Sequence, residues 1–200
     1  MLPAENPELS AIAELRTATW PAHQRLDKRI DFKARLATAG TYRAHVAQMW
    51  GFYVGLEPSL GRGGLRHYLS DYESRHKAPL LERDLIAMGV ERTAVAQYPR
   101  SDFTPDFEDP ASAFGCAYVL EGATLGGRFL LPLVQTRLGL TAENGAAFLA
   151  SYGEFVQERW RAFGAALDVC CAPERRRIRA AEAASATFTA LEHWLCGSIA

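Results

Sequence analysis

Cysteine is scarce in the 200-residue sequence, and its placement excludes most of what cysteine does. Cys116 and Cys196 stand alone while Cys170 and Cys171 are adjacent, so there is no CxxC pair and no disulfide framework. Reduced, packed thiols are expected. Ala172 separates Cys171 from Pro173, which removes a Cys-Pro motif as well. Excess positive charge is also lacking. Lys and Arg number 22 against 23 Asp and Glu, a formal net charge of −1, and Arg175-Arg176-Arg177 is too short a run to gather phosphates. Nucleic acid is not an expected partner. No stretch reaches the roughly 18 apolar residues of a membrane span, and Met1-Leu2-Pro3-Ala4-Glu5 lacks the order of a secretory leader. The expectation is a cytoplasmic protein with no membrane partner. Runs of alternating β-branched residues, internal repeats and low-complexity tracts are absent too.

What is present is helical periodicity. Hydrophobic residues make up 48% and charged residues 22%, a balance that supports a packed core. Ile12, Leu15, Thr19 and Leu26, then Tyr42, Val46, Met49, Phe52 or Tyr53, and Leu56 recur at threes and fours. The reading is all-α: one domain over 1–200, with about 1–8 a flexible N-terminus and helices over about 8–29, 31–38, 41–60, 76–88, 109–139, 141–168 and 173–196. Thr41 is expected to cap the third helix and Pro58 to end it, before an irregular Gly61-Arg62-Gly63-Gly64 connection. Pro99, Pro105 and Pro110 mark a loop over about 97–110. Asp109-Pro110 signals the start of the long helix, and Thr141 with Glu143, and Ala172-Pro173-Glu174, the last two.

Two helical faces carry chemistry. Arg16, Trp20, His23 and Asp27 fall at i, i+4, i+7 and i+11, one stripe of a helix. A carboxylate one turn from an imidazole holds Nδ1–H and presents Nε2 to a metal, although the same spacing also makes an ordinary surface ion pair. Arg16 lies about 10 Å along the axis from His23, suited to an acidic edge group of a large flat ligand. Pro21 is expected to kink or restart this helix. The second face is Tyr118-Val119-Leu120-Glu121-Gly122-Ala123-Thr124-Leu125-Gly126-Gly127. Each helical glycine costs roughly 1 kcal/mol relative to Ala. Gly122 and Gly126 share a face whose bare backbone can approach a flat partner or another helix, and Gly126-Gly127 invites a kink.

Together, Ala22-His23-Gln24-Arg25-Leu26-Asp27 and Tyr118 to Gly127 resemble the bacterial haem oxygenase family, particularly members associated with bacteriophytochromes. The resemblance extends over Thr41-Tyr42-Arg43 through Leu56-Glu57-Pro58, and over Glu182 to Leu195 with Phe188 and Trp194 as core positions. It implies a helical bundle with haem b between a proximal helix and a kinked distal one. The proximal ligand then falls on His23, its supporting carboxylate on Asp27 and the distal roof on Gly122, Gly126 and Gly127. Arg16, Tyr118 and Arg161 correspond to the propionate contacts, with Arg159 and Arg177 as fallbacks for Arg161. Haem would be cofactor and substrate, opened by O₂ with electrons from a ferredoxin or flavoprotein reductase to biliverdin, carbon monoxide and ferrous iron. The α isomer is the default, and a bacteriophytochrome is a possible acceptor of the biliverdin. The sequence departs from animal members at Ala123, where they carry an aspartate, so distal water must be ordered by other groups.

Two other readings share these residues. A silent haem-binding or haem-delivery protein would keep the same site, and a di-iron oxidase would recruit inward residues such as Glu57, Glu121, His45 and His193. His45 otherwise reads as a helix-face residue, His193 as a cation beside Glu192, and His67 and His76 as solvated. Trp50, Trp160 and Trp194 read as core or rim aromatics.

Overall fold

The computed structural model describes residues 10–107 and 109–197. The flexible segment expected over about 1–8 lies outside the described residues. Among the described residues there is no strand, only isolated bridges from Thr141 to Asn144 and Gly145. The helices are α1 (Ala11–Arg29), α2 (Phe32–Arg35), α3 (Ala39–Arg62), α4 (Ala78–Ala87), α5 (Arg92–Val95), α6 (Pro110–Leu138), α7 (Ala147–Ala150), α8 (Val156–Cys170) and α9 (Glu174–Cys196). Short 3-10 turns at Leu65–His67, Tyr72–Arg75 and Gly153–Phe155 complete the path.

α9 organises the bundle, packing along both α1 and α6. Gly115 and Ala180 mark the α6–α9 crossing, where a Cβ on Gly115 would collide with the Ala180 carbonyl. α1 is fixed from several sides. The Ala11 N–H donates to Asp168 of α8 (2.7 Å), Arg29 and Arg25 reach Glu192 of α9 (2.9 and 3.5 Å), and Arg177 reaches Glu14 (3.3 Å). Leu15, Ala22 and Leu26 turn inward and join Phe114, Phe163, Ala180 and Phe188 in one apolar core. All four cysteines are free; Cys116, Cys170 and Cys171 are buried and Cys196 is half-buried.

Asp109 caps α6 as expected, its carboxylate accepting from the Ala111 and Ser112 amides (2.8 and 3.3 Å). Other boundaries differ from the sequence reading. Thr38 caps α3, and Thr41 at the third helical position completes a reciprocal box. Pro58 does not end α3, which continues to Arg62 because Leu56, Glu57, Ser59 and Leu60 are buried around it; packing outweighs a local penalty of about 3 kcal/mol. Pro21 likewise leaves α1 helical throughout, and α6 stays helical through Gly126-Gly127. The expected helix over 31–38 is a single turn. That over 141–168 is broken: Thr141 bonds back to Asn144 and Ala146 in a turn, and α7, Ser151, a 3-10 turn and α8 follow.

Candidate active site

On α1, His23 Nδ1 and Asp27 Oδ2 lie 2.9 Å apart, with side chains 47% and 58% exposed. An imidazole donating Nδ1–H to that carboxylate keeps Nε2 as a free lone pair, and Nε2 has no protein partner among the described residues. Trp20, itself 53% exposed, stacks on the ring at 5.9 Å, and Phe188 of α9 meets it edge-on at 5.6 Å. Leu15, Thr19, Ala22 and Leu26 bury the adjoining face of the helix, so His23 stands at the edge of the packed side, half exposed.

Tyr118 of α6 reaches the same helix. Burial raises its pKa, opposed by a side-chain hydrogen bond with Thr19 and by the positive charge of Arg16. Thr19 is one turn before His23, so Tyr118 and Arg16 are brought together beside the candidate ligand. Arg16 is exposed and pairs with no carboxylate among the described residues. Arg161 is exposed, its guanidinium held by the Gln157 carbonyl one turn earlier (3.3 Å). The fallbacks are otherwise engaged. Arg159 pairs with Asp71, and Arg177 with Glu14 and the Ala172 carbonyl.

The three glycines separate into two kinds. A Cβ on Gly126 would meet nothing within 4 Å, and one on Gly122 only the edge of Trp160 at 4.0 Å. Trp160 also touches the Tyr118 ring at 5.7 Å. Gly127 instead lies against α7, where a Cβ would stand 2.5 Å from the Leu149 carbonyl. Its missing side chain is accounted for by helix packing. One turn beyond the open glycines, Phe129 is 80% exposed and Leu133 is exposed as well, which continues an apolar stripe along α6.

Beside this stripe lies a charged cluster that periodicity did not reveal. Glu121 is buried and accepts from Arg75 (2.8 Å) and from the Tyr152 hydroxyl (2.8 Å). Arg75 also forks onto Asp71 (2.8 and 2.9 Å), and Asp71 pairs with Arg159. Lys77 Nζ donates to the Arg75 carbonyl (2.7 Å) and to Tyr152 (2.5 Å); burial lowers its pKa to about 8 against the pull of Glu121 and Glu57. Burial pushes the Glu57 carboxyl up to about 7 although the Lys77 and Ala78 amides donate to it. A cavity of about 30 Å³ borders these groups, room for a water, and the unpartnered Tyr72 hydroxyl and His76 Nε2 lie along it. One signal was in the sequence: a carboxylate, Glu121, within an otherwise apolar helical segment.

The remaining histidines divide differently from their sequence reading. His45 is buried against Phe32 and accepts from Arg35 (3.2 Å), and burial lowers its pKa to about 3. His76 is not solvated, since its Nε2 is buried. His67 and His193 are exposed, and Glu192 pairs with Arg29 and Arg25 instead of His193. Trp50 is core, and Trp160 and Trp194 are half-buried, the latter donating to the Gln48 carbonyl (2.7 Å). No group of three or more His, Cys, Asp or Glu suited to a metal ion occurs among the described residues. Glu57 and Glu121, needed for a di-iron site, are committed to the α4 N-terminus and to Arg75. No described helix is long and apolar enough to cross a membrane.

Known proteins share this architecture. The chain is 28% identical over 153 residues to a heme oxygenase of Xanthomonas campestris pv. campestris, covering 75% of this chain and 86% of that protein. It is 28% identical over 176 residues to the heme oxygenase PigA of Pseudomonas aeruginosa, covering 87% and 85%. The fold superposes on the heme oxygenase of Neisseria meningitidis, solved with NO and CO bound, at a TM-score of 0.78 and 20% identity over 94% of this chain and 90% of that one. The family model described as heme oxygenase matches residues 9–196, taking in both the His23 stripe and the glycine face: the chain belongs to the haem oxygenase family.

Proposed function

We propose that this haem oxygenase holds its substrate between α1 and α6 in a single domain, with His23 as the proximal iron ligand and Gly122 and Gly126 as the distal roof. The observation that carries the reading is the pairing of a half-exposed imidazole, fixed by Asp27, with two helical glycines that no protein atom fills. Helical glycines with nothing packed on them are a standing loss of stability, and a flat ligand against the bare backbone accounts for their retention.

Haem supplies the iron at which O₂ is reduced, and the rest of the work falls to this chain's side chains. Asp27 keeps His23 in the tautomer that presents Nε2 and raises its basicity. Arg16, Tyr118 and Arg161 hold the propionates and so fix the rotation of the ring, on which the α-meso outcome depends. Trp20 and Phe188 box the imidazole and set its plane. The roof offers no side-chain acid, so the distal face confines by shape and leaves proton delivery to water. With electrons from an external ferredoxin or flavoprotein, the products are biliverdin, carbon monoxide and ferrous iron. A cytoplasmic setting fits, with iron release or supply of biliverdin to a bacteriophytochrome as the use.

The test is haem titration of the purified protein and of His23→Ala, followed by ascorbate or a reductase. The protein should give a His-ligated Soret band that decays as a biliverdin spectrum grows. His23→Ala should lose both the ligated spectrum and ring opening. Unchanged spectra in the variant would overturn the ligand assignment, and a stable ferrous spectrum without decay in the parent would leave a haem carrier in place of an enzyme.

A further inference from the structure

The segment from Ala146 to Phe155 is tied to the flank of α6 at two points on either side of the open glycines. At one, the Leu149 carbonyl presses against the bare Cα of Gly127. At the other, the Tyr152 hydroxyl donates to buried Glu121, the residue immediately before Gly122 (2.8 Å). The far side of the segment is pinned as well. The Ala147 and Phe148 amides donate to the fully buried carboxylate of Asp84 on α4 (2.7 and 2.8 Å), and Phe148 packs edge-on against Tyr53 of α3 at 5.4 Å.

Between the two contacts stands Ser151 at φ 45°, ψ −110°, a conformation L residues rarely adopt, with its hydroxyl buried and unpartnered. A strained non-glycine residue persists where its surroundings over-determine it. Here the surroundings are the seats of Leu149 and Tyr152. Glu121 is held in turn by Arg75, and Arg75 by Asp71 and the Arg159 carbonyl, so the clamp extends to α8.

Resting on the roof assignment proposed above, we infer that this strap is a backstop that sets the position of the glycine face of α6 relative to the haem plane, with Tyr152 as its positioning residue. Tyr152 acts through Glu121 and touches neither ring nor iron. Removing its hydroxyl frees one carboxylate oxygen of Glu121 and one contact of Lys77, and lets the Gly122 turn shift. Adding a methyl at Gly127 disturbs the other seat, wedging the Leu149 carbonyl away from α6.

The experiment compares Tyr152→Phe and Gly127→Ala with the parent by three measurements. They are hydrogen exchange of the amides of 121–127 in the haem-free protein, the ferric haem spectrum, and the ratio of biliverdin isomers. Both variants should keep the His23-ligated spectrum, and exchange across 121–127 should accelerate. The isomer ratio or turnover should change by about tenfold, within the roughly hundredfold that a misplacement of about 1 Å can cost. Glu121→Gln, which retains an acceptor for Tyr152, should lie between parent and Tyr152→Phe. Exchange and isomer ratio at parental values in both variants would overturn the inference. So would faster exchange with an unaltered product, since the strap would then be structural only. Failure of the roof assignment would show separately, as a Gly126→Ala variant that haem stabilises as strongly as the parent. If one of these variants unfolds, the exchange and the isomer ratio of Glu121→Gln take its place.

Discussion

Gly126→Ala separates what the protein needs for itself from what it keeps for its ligand. Gly126 lies inside α6, and an added Cβ meets no heavy atom within 4 Å. Nothing opposes the intrinsic gain of Ala over Gly in a helix interior, about 1 kcal/mol. The haem-free variant should therefore melt roughly 2–4 °C higher than the parent, the shift that such an energy produces in a chain of this size. With haem the order should reverse. A methyl standing out from the roof occupies the layer the ring needs, and a modest steric clash that weakens binding tenfold corresponds to about 1.4 kcal/mol. At haem set to 100 times the parental Kd, binding stabilises the parent by about 2.7 kcal/mol and such a variant by about 1.4 kcal/mol. The intrinsic gain no longer covers the difference, and the loaded variant becomes the less stable of the two. Calorimetric or urea unfolding at pH 7, with and without haem, reads both halves. A haem-free variant less stable than the parent would show that Gly126 serves internal packing. A variant stabilised by haem as strongly as the parent would show that the ring does not lie on this face. Either result refutes the roof.

Three further outcomes follow from the surrounding structure. Arg75→Met strips the buried Glu121 and half-buried Asp71 carboxylates of their shared guanidinium and should destabilise by about 3–5 kcal/mol in urea, the usual consequence of breaking a buried pair from one side; a loss below about 1 kcal/mol would mean the cluster is solvated. His45 is neutral in the folded chain down to about pH 3 but protonates near 6.5 when unfolded, so its contribution is present above 6.5 and is lost as pH falls. Between pH 7.5 and 5 the parent should lose about 2 kcal/mol relative to His45→Gln, and parallel stability curves for the two proteins would refute it. Ser151→Gly relieves the positive φ and deletes a buried unpartnered hydroxyl. It should raise stability by about 1 kcal/mol after the extra backbone entropy of glycine is subtracted, and a lower melting temperature would show that the Ser151 hydroxyl has a partner.

The long helices were legible because periodicity reports burial directly: α1 buries Leu15, Thr19 and Leu26, and α3 buries Tyr42, Val46, Met49, Phe52, Tyr53 and Leu56, whose spacing announced them. Their ends were less legible wherever tertiary contacts overrule local rules, as at Pro58. The stretch after Thr141 reads as one helix by composition, yet Asp84 captures the amides of Ala147 and Phe148 from 63 and 64 residues away and starts a new turn there. No local pattern encodes that contact. The same limit applies to the site. His23, Asp27 and the glycines were visible because their chemistry is written at helical spacing, within one element each. The clamp of Glu121, Arg75, Asp71, Tyr152 and Arg159 draws on α6, α8 and the turns before α4 and α8, and each member alone reads as surface charge or a loop aromatic.

The division of the glycines follows from the same reasoning. Sequence spacing groups Gly122, Gly126 and Gly127 because each lowers helix propensity equally, but the physical reason for each is a matter of what faces it. Gly127 faces the Leu149 carbonyl, and the protein's own packing demands it. Gly122 and Gly126 face open space, so packing within the chain gives no reason for their bare backbone. On the proposed reading, a helix that forgoes about 2 kcal/mol at two open positions, in a chain whose α1 imidazole is held by Asp27, is organised around a flat ligand that the protein itself does not supply.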